Sequence, residues 1–326
     1  MRKMTLLSTL ALSIALASGP TFAASERAAP EITRVTEQGG DIYRFAIGDV
    51  RVIALSDGSV PQDLHNLLQR TTPARIDALL ARNFQTNPVE ASINAYLVEL
   101  PGRLVLIDTG SGELFGPSAG GKLVDSLRRA GVGPEQVTDI LLTHIHSDHA
   151  GGLVRGGQRV FTNAVVHVGK ADLDYFADPT NAERTHYDHQ HFDVAALVMK
   201  PYLDAGKVIP ITKDGAVLPG IIATFHAGHT PGSAFYTLES KGESIVFVGD
   251  IVHSAAVQFP SVATTITYDQ DANRAATVRA DAFGRFARER TLIAVPHMPF
   301  PGVGHVQADG AGFAWVPVTY TNRTAN

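Results

Sequence analysis

The chain has 326 residues, of which 44% are hydrophobic and 18% charged, and its formal net charge at pH 7 is −5. A chain of this length and composition can bury a full hydrophobic core, and an acidic balance without a basic cluster argues against a nucleic-acid-binding surface. The sequence contains no cysteine, which excludes a disulfide scaffold and leaves His, Asp and Glu as the metal ligands it can offer.

The first residues are typical of a secretory signal. A basic start is followed by an apolar stretch over residues 4–17 and by a small-residue cleavage site at Thr21–Ala23. The apolar stretch is too short for a stable membrane span. We therefore expect a signal peptide over residues 1–23, an N-terminal extension over residues 24–40, and one main domain over residues 41–326. The protein is expected to be exported to the periplasm and not to associate with membranes.

Alternation of apolar and polar residues predicts strands along much of the main domain. Residues 41–58 are predicted to form a hairpin around Gly48–Asp49, and a second pair is joined by Pro101–Gly102. Further strands are predicted at 140–142, 165–168, 208–211, 221–225, 234–238, 244–248 and 292–295, with helices at 122–130 and 272–288. Paired strands separated by helices predict two sheets packed face to face with helices outside, an αββα sandwich of the α/β class.

A run of ten residues, THIHSDHAGG, follows the apolar strand predicted at 140–142. It contains three histidines and one aspartate, which are ligands of zinc and similar divalent ions. His144 and His146 alternate along an extended segment, whereas Asp148 and His149 follow where the chain turns towards a helix. Because the two pairs of side chains point in different directions, the run favours two metal ions over one. A solvated histidine-rich loop is the alternative, and the buried strand before the run argues against it.

The spacing His-x-His-x-Asp-His after a strand resembles the signature of the metallo-β-lactamase superfamily, and this resemblance implies the corresponding αββα fold. Four further segments place a polar residue at the end of a predicted strand, and they contain Asp108, His229, Asp250 and His297. In the superfamily the matching positions build a centre of two metal ions. The resemblance implies two ligand sets that share one carboxylate: His144, His146, His229 and Asp250 for one ion, and Asp148, His149, His297 and Asp250 for the other.

The same resemblance implies that Asp108 is an outer carboxylate that orients a ligand histidine. The two ions are expected to be zinc, and manganese, iron and cobalt are compatible with the same ligands. Two divalent ions lower the pKa of a water between them and hold the oxygen of the electrophile. Hydrolysis of an ester is therefore the expected reaction, with Asp148 and Asp250 as the catalytic residues beside the hydroxide.

Segments outside the histidine-rich run resemble the methyl parathion hydrolase family of organophosphate hydrolases, over roughly residues 41–322. The motifs that carry this resemblance are 108–110, 114–117, 231–232, 255–259 and 300–305. It implies a homodimeric phosphotriesterase for small neutral esters, with an apolar pocket lined by Phe115, Tyr175 and Phe176. Core packing is the alternative for Tyr175 and Phe176. We expect His253, three residues after Asp250, to face the same pocket.

The main alternative function is a lactonase acting on acyl-homoserine or other lactones, because related enzymes with two metal ions open lactone rings. A metal-binding protein without catalytic activity is a further alternative, and the complete ligand set argues against it. A thioester hydrolase of the glyoxalase type shares the ligand set, but the sequence has no basic cluster for an anionic substrate. A β-lactamase with a cysteine ligand is excluded by the absence of cysteine.

The remaining histidines are assigned to structural positions. The polar segment from His186 to His191, which includes His189, is predicted to be a solvated lid or loop rather than a second metal site, because it lacks a buried strand. His65 and His167 lack a motif and are assigned to structural positions. His226, which lies close to His229, and His305, which lies downstream of His297, could compete for the ligand role, and a structural role is the main assignment for both.

Overall fold

The computed structural model describes residues 41–321. The predicted signal peptide (1–23), the predicted extension (24–40) and the last five residues of the predicted main domain lie outside the described part. Within residues 41–321, no helix is both long enough and apolar enough to cross a bilayer.

Most of the described chain is organised as short strands with helices between them. In chain order the strands are β1 (Ile42–Ile47), β2 (Val50–Gln62), β3 (Leu68–Gln69), β4 (Val89–Leu100), β5 (Arg103–Ile107), β6 (Asp139–Leu141), β7 (Val154–Arg155), β8 (Gln158–Arg159), β9 (Val165–Gly169), β10 (Val208–Ile211), β11 (Gly215–Leu218), β12 (Ile221–Phe225), β13 (Ala234–Ser240), β14 (Glu243–Phe247), β15 (Thr265–Ile266), β16 (Ile293–Ala294), β17 (Val303–Asp309) and β18 (Gly312–Pro317). The α-helices are α1 (Leu64–Leu67), α2 (Pro73–Arg82), α3 (Leu123–Ala130), α4 (Ser147–Ala150), α5 (Lys170–Ala177), α6 (Thr180–Thr185), α7 (His189–Asp204), α8 (Ala255–Gln258) and α9 (Ala272–Glu289).

Two seven-stranded sheets form the centre of the fold. The first has the order β1-β2-β4-β5-β6-β9-β10 and the second β11-β12-β13-β14-β16-β17-β18. In the first sheet β6 pairs in parallel with both β5 and β9, and in the second β14 pairs in parallel with β16. Parallel neighbours end at the same edge of a sheet, so the residues that follow β5 and β6 are brought together, as are those that follow β14 and β16.

Alternation along the strands explains how the sheets pack. In β5, Val105 and Ile107 join the core between the two sheets, whereas Leu106 joins the core under α3, α5 and α7. On the other side of the molecule, Phe283 and Phe286 of α9 pack on the second sheet. Burial on both faces of each sheet produces four layers. The predicted αββα sandwich is therefore confirmed.

The segment from His186 to His191 differs from its prediction. His186 and His189 are exposed, but His189 is the first residue of the 16-residue helix α7, which Asp188 caps by accepting a hydrogen bond from the Gln190 amide (2.9 Å). The face of α7 that packs on the first sheet repeats every three or four residues: Phe192, Ala195, Val198, Met199 and Tyr202. The prediction of a loop is confirmed for residues 186–188 between α6 and α7 and is wrong for residues 189–191, because a proline near the end of α7 and polar residues at its start hid this stripe.

Candidate metal centre

The polar residues predicted at strand ends meet at one edge of the sandwich. Asp108 follows β5, the histidine-rich run follows β6, and Asp250 follows β14. Asp148 and His149 lie in the one-turn helix α4, whereas the two histidines before them precede it. The change of direction predicted within the run is therefore present, and it separates the candidate ligands into two groups.

The first group contains three histidines and one carboxylate, all buried. The Nδ1 atom of His146 lies 3.1 Å from His144 Nε2 and 3.0 Å from His229 Nε2. Asp250 Oδ2 lies 3.4 Å from His229 Nε2 and 3.7 Å from His144 Nε2. Four potential ligand atoms thus converge on one small volume, each within 4.8 Å of the others.

The second group contains Asp148, His149, Asp250 and His297. Asp250 Oδ1 lies 3.1 Å from both His149 Nε2 and His297 Nε2. Asp148 completes the group, with its Oδ2 atom 3.5 Å from His297 Nε2. Asp250 therefore belongs to both groups, and its Oδ2 atom also lies 3.2 Å from His297 Nε2. A carboxylate in this position could serve two cations. The seven residues that the sequence singled out are the seven that the fold brings together.

The unsatisfied atoms at this site fit cations. Within residues 41–321, His149 Nε2 and Asp250 Oδ1 are buried and make no hydrogen bond. Buried polar atoms without a partner are costly and call for a specific explanation. The donor set, imidazole nitrogen with carboxylate oxygen, is one that zinc and related divalent ions accept. Two divalent cations would satisfy both atoms and the lone pairs that converge around them.

Electrostatics support the same interpretation. Burial and the neighbouring histidines hold the pKa of His144 and His146 well below the usual range of histidine, so both are neutral, as ligation requires. Burial opposes charge on His229, but hydrogen bonds to Asp250 and Asp269 raise its pKa to about 9. The carboxylates therefore attract positive charge to this volume, and bound cations would supply it.

Asp108 lies where the resemblance placed it. Its Oδ2 atom accepts a hydrogen bond from His149 Nδ1 (2.9 Å), and its two oxygens accept from the amide and hydroxyl of Thr143 (2.8 Å each). The backbone of Asp108 is left-handed, with φ of 59°, a conformation that aspartate tolerates better than most residues. A carboxylate held in this way fixes the His149 ring so that its Nε2 atom faces the second group.

Three outer contacts were not predicted from the sequence. Asp269 accepts a hydrogen bond from His229 Nδ1 (2.9 Å), Tyr187 bonds His146 Nε2 (2.8 Å), and the Ser92 carbonyl accepts from His297 Nδ1 (2.9 Å). Each contact orients the nitrogen that faces the centre. Asp269 and Tyr187 belong to no motif in the sequence, so no spacing signal could have found them.

Asp172, also missed, joins the two histidine-bearing loops. This fully buried residue of α5 accepts hydrogen bonds from the Ile145 amide (3.1 Å), the Thr230 hydroxyl (3.0 Å) and the Gly232 amide (2.6 Å). Burial raises its pKa to about 6, against the effect of these hydrogen bonds. Because Ile145 lies between two candidate ligands and Thr230 follows a third, Asp172 fixes the distance between the loops.

A cavity of about 460 Å³ opens above the two groups. His146, Asp148 and Asp250 lie in its floor, and its apolar wall contains Leu114 and Phe115. Other lining residues include Leu67, Val194 and His253. Phe115 and His253 therefore lie in the predicted pocket.

Tyr175 and Phe176 do not line this cavity, and their predicted role in the pocket is corrected. Both are buried in the core beneath α7, with ring centroids 5.2 and 5.3 Å from that of Phe192. Core packing, the alternative for this pair, is what the structure shows. Aromatic residues on the apolar face of a helix can either pack in the core or line a pocket. The sequence pattern is the same in both cases, so it could not distinguish these two roles.

The four histidines assigned to structural positions lie outside both ligand groups. His65 pairs with Asp77 (2.8 Å) and His167 with Asp139 (2.9 Å). His226 stacks on Phe235, with ring centroids 3.8 Å apart, and His305 Nδ1 donates a hydrogen bond to the Thr291 carbonyl oxygen (3.1 Å).

The chain is similar in sequence and structure to several known proteins. The family model of the metallo-beta-lactamase superfamily matches residues 89–286. A solved structure described as hydrolase AbOPH in the beta lactamase superfamily is 34% identical, with a TM-score of 0.82 over 88% of this chain and 100% of that one. AidC, a dizinc quorum-quenching lactonase in complex with a product, N-hexnoyl-L-homoserine, is 26% identical, with a TM-score of 0.78 over 86% of this chain and 98% of that one.

A curated relative is the N-acyl homoserine lactonase of Bacillus cereus, which is 26% identical over 180 residues. The match covers 50% of this chain and 64% of the relative, so it spans less than two thirds of the length of that protein.

Proposed function

Because the chain belongs to the metallo-beta-lactamase superfamily, we propose that it is a dinuclear metal hydrolase that opens N-acyl homoserine lactones. The observation that carries the proposal is the 460 Å³ cavity, whose floor contains candidate ligands of both groups. The chain also shares 26% identity with a dizinc lactonase over 98% of that protein. In this proposal two divalent ions, zinc in the first instance, bind to the seven residues of the two groups.

The cavity suits a neutral ester with an apolar tail. Two bound divalent ions would acidify a water molecule and polarise the lactone carbonyl. Hydrolysis adds water across the ring ester bond and leaves a carboxylate and a hydroxyl group. Phe115 and Leu114 provide the apolar wall for the acyl tail. His253 lies beside the floor, with Nε2 3.1 Å from Asp250 Oδ2.

A phosphotriesterase is the second candidate. The sequence segment that resembles the methyl parathion hydrolase family contains Leu114 and Phe115, and both line the wall of the cavity. A phosphotriester is also neutral and carries apolar ester groups, so the same wall and the same pair of cations would serve it.

Steady-state kinetics of Zn²⁺-reconstituted protein on N-hexanoyl homoserine lactone and on a dimethyl aryl phosphotriester test the choice. We expect a much larger kcat/KM for the lactone. A larger value for the phosphotriester would transfer the assignment to the second candidate. Failure to hydrolyse either compound by protein shown to contain two ions would overturn both.

Phe115 is expected to contribute to recognition of the acyl tail. Each methylene group buried on binding is worth about 0.8 kcal/mol, or about a fourfold change in kcat/KM. Along a series of homoserine lactones with lengthening acyl chains, wild-type kcat/KM should rise by up to this factor for each methylene, and Phe115→Ala should reduce the rise while leaving metal content unchanged. Phe84→Ala is the matched control, because the Phe84 side chain is fully exposed. An identical dependence on chain length in wild type and Phe115→Ala would exclude this wall as the acyl site.

A further inference from the structure

Tyr187 connects the α6–α7 junction to the centre. The residue is buried, 8% exposed, and its hydroxyl oxygen lies 2.8 Å from His146 Nε2 and 2.6 Å from the backbone carbonyl oxygen of Tyr268. Within the segment from His186 to His191, Tyr187 is the residue whose side chain forms a hydrogen bond with a candidate ligand, His146.

These two contacts determine which nitrogen of His146 carries its proton. A phenol has one proton to donate, and a carbonyl oxygen can only accept. Tyr187 therefore donates to Tyr268 and accepts a hydrogen bond from His146 Nε2–H. Neutral His146 then has its free lone pair on Nδ1, the atom that lies 3.0 Å from His229 Nε2. In neutral His229, Asp269 favours the opposite tautomer, with the proton on Nδ1 and the lone pair on Nε2.

The two hydrogen bonds of the Tyr187 hydroxyl lie on the side of the first ligand group. Tyr268 is adjacent to Asp269, so Tyr187 also holds the backbone next to the carboxylate that orients His229. The second group has separate outer partners: Asp108 for His149 and the Ser92 carbonyl for His297. The hydroxyl of Tyr187 thus supports the orientation of two ligands in one group and of none in the other.

We propose that Tyr187 is a positioning residue that fixes the Nε2–H tautomer of His146 and thereby sets the affinity of one metal position, that of His144, His146, His229 and Asp250. The inference rests on the proposed two-metal centre and not on the identity of the substrate. Its ring also stacks on His191, with centroids 4.6 Å apart and planes 19° from parallel, and His191 lines the cavity. One short segment therefore contributes to the wall of the pocket and to the orientation of a ligand.

The test compares Tyr187→Phe with Tyr175→Phe. Both tyrosines are 8% exposed, and the Tyr175 hydroxyl bonds Thr185 Oγ1 (2.7 Å) without contacting a candidate ligand. Zn²⁺-loaded proteins are equilibrated with a graded chelator, and bound zinc is counted. We expect Tyr187→Phe to bind one of its two ions about 10–100-fold more weakly, the range found for loss of an outer partner, while the other ion and both ions of Tyr175→Phe are retained.

Two further measurements separate this role from a general structural one. The melting temperatures of the chelated forms of both variants should agree with each other, and ¹⁵N NMR of histidine-labelled wild-type protein should show the Nε2–H tautomer of His146. Wild-type affinity for both ions in Tyr187→Phe, equal weakening of both ions, or an Nδ1–H tautomer of His146 would each overturn the inference. Absence of lactone hydrolysis together with selective loss of one ion would refute the proposed substrate and leave the role of Tyr187 intact.

Discussion

Replacing Asp250 with alanine is expected to lower kcat/KM by more than about 100-fold, because loss of an outer partner alone costs about 10–100-fold and Asp250 belongs to both ligand groups. Its Oδ2 atom lies 3.4 Å from His229 Nε2, and its Oδ1 atom lies 3.1 Å from His149 Nε2. No other residue within 41–321 is shared by the two groups. Elemental analysis of the variant after dialysis should find fewer than two tightly bound ions per chain.

His189→Ala is the control for this experiment. His189 is exposed at the first position of α7 and belongs to neither ligand group, so its loss should leave activity and metal content nearly unchanged. Asp250→Asn adds a milder variant, since the amide keeps one oxygen that can act as a ligand and should retain more metal than alanine does. Two bound ions and wild-type turnover in Asp250→Ala would contradict the bridging role. A severe defect in His189→Ala would show that a histidine outside the two ligand groups is needed for activity.

The parts of the site that could be predicted from the sequence are those encoded by local pattern. His144 and His146 follow a buried strand at a fixed spacing, and Asp250 follows another, so periodicity located the strand ends and residue type suggested the ligands. Apolar runs and periodicity also predicted β4, β5 and the helix α9: both strands are buried on two faces over much of their length, and α9 buries one stripe. Local sequence pattern is sufficient to predict a strand or helix when its buried residues recur at a regular spacing.

The outer contacts could not be predicted, because they depend on which distant segments the fold brings together. Tyr187 lies 41 residues from His146, and Asp269 lies 40 residues from His229. Neither has a period or motif that distinguishes it from other aromatic or acidic residues in loops. Two tyrosines illustrate the limit: Tyr175 of α5 packs in the core without contacting a candidate ligand, whereas Tyr187, between α6 and α7, bonds one, and only the tertiary structure separates them.

Removal of the metal ions is expected to lower the melting temperature by on the order of 10 °C. Ligands that bind only the folded state stabilise it by about 2.7 kcal/mol when present at 100 times their dissociation constant, so two such ions would contribute roughly 5 kcal/mol. For a chain of this size about 2 °C corresponds to 1 kcal/mol. The loss of stability has a local origin. Without cations, Asp250 Oδ1 and His149 Nε2 stay buried without hydrogen-bond partners among residues 41–321. Within the same residues, the carboxylates of Asp148 and Asp250 have only histidines to balance their charge.

Differential scanning calorimetry before and after chelation, and again after Zn²⁺ is returned, measures this effect. The same chelator should shift the melting temperature of Asp250→Ala much less, because that variant has already lost the residue that joins the two sites. The shift in wild type should also shrink as the pH falls below about 9, since the pKa of His229 in the metal-free protein is about 9 and a proton on that ring competes with the ion. If wild-type protein melted at the same temperature with and without chelator, the buried histidines and carboxylates would be stable without cations, and the two groups would not constitute a metal centre.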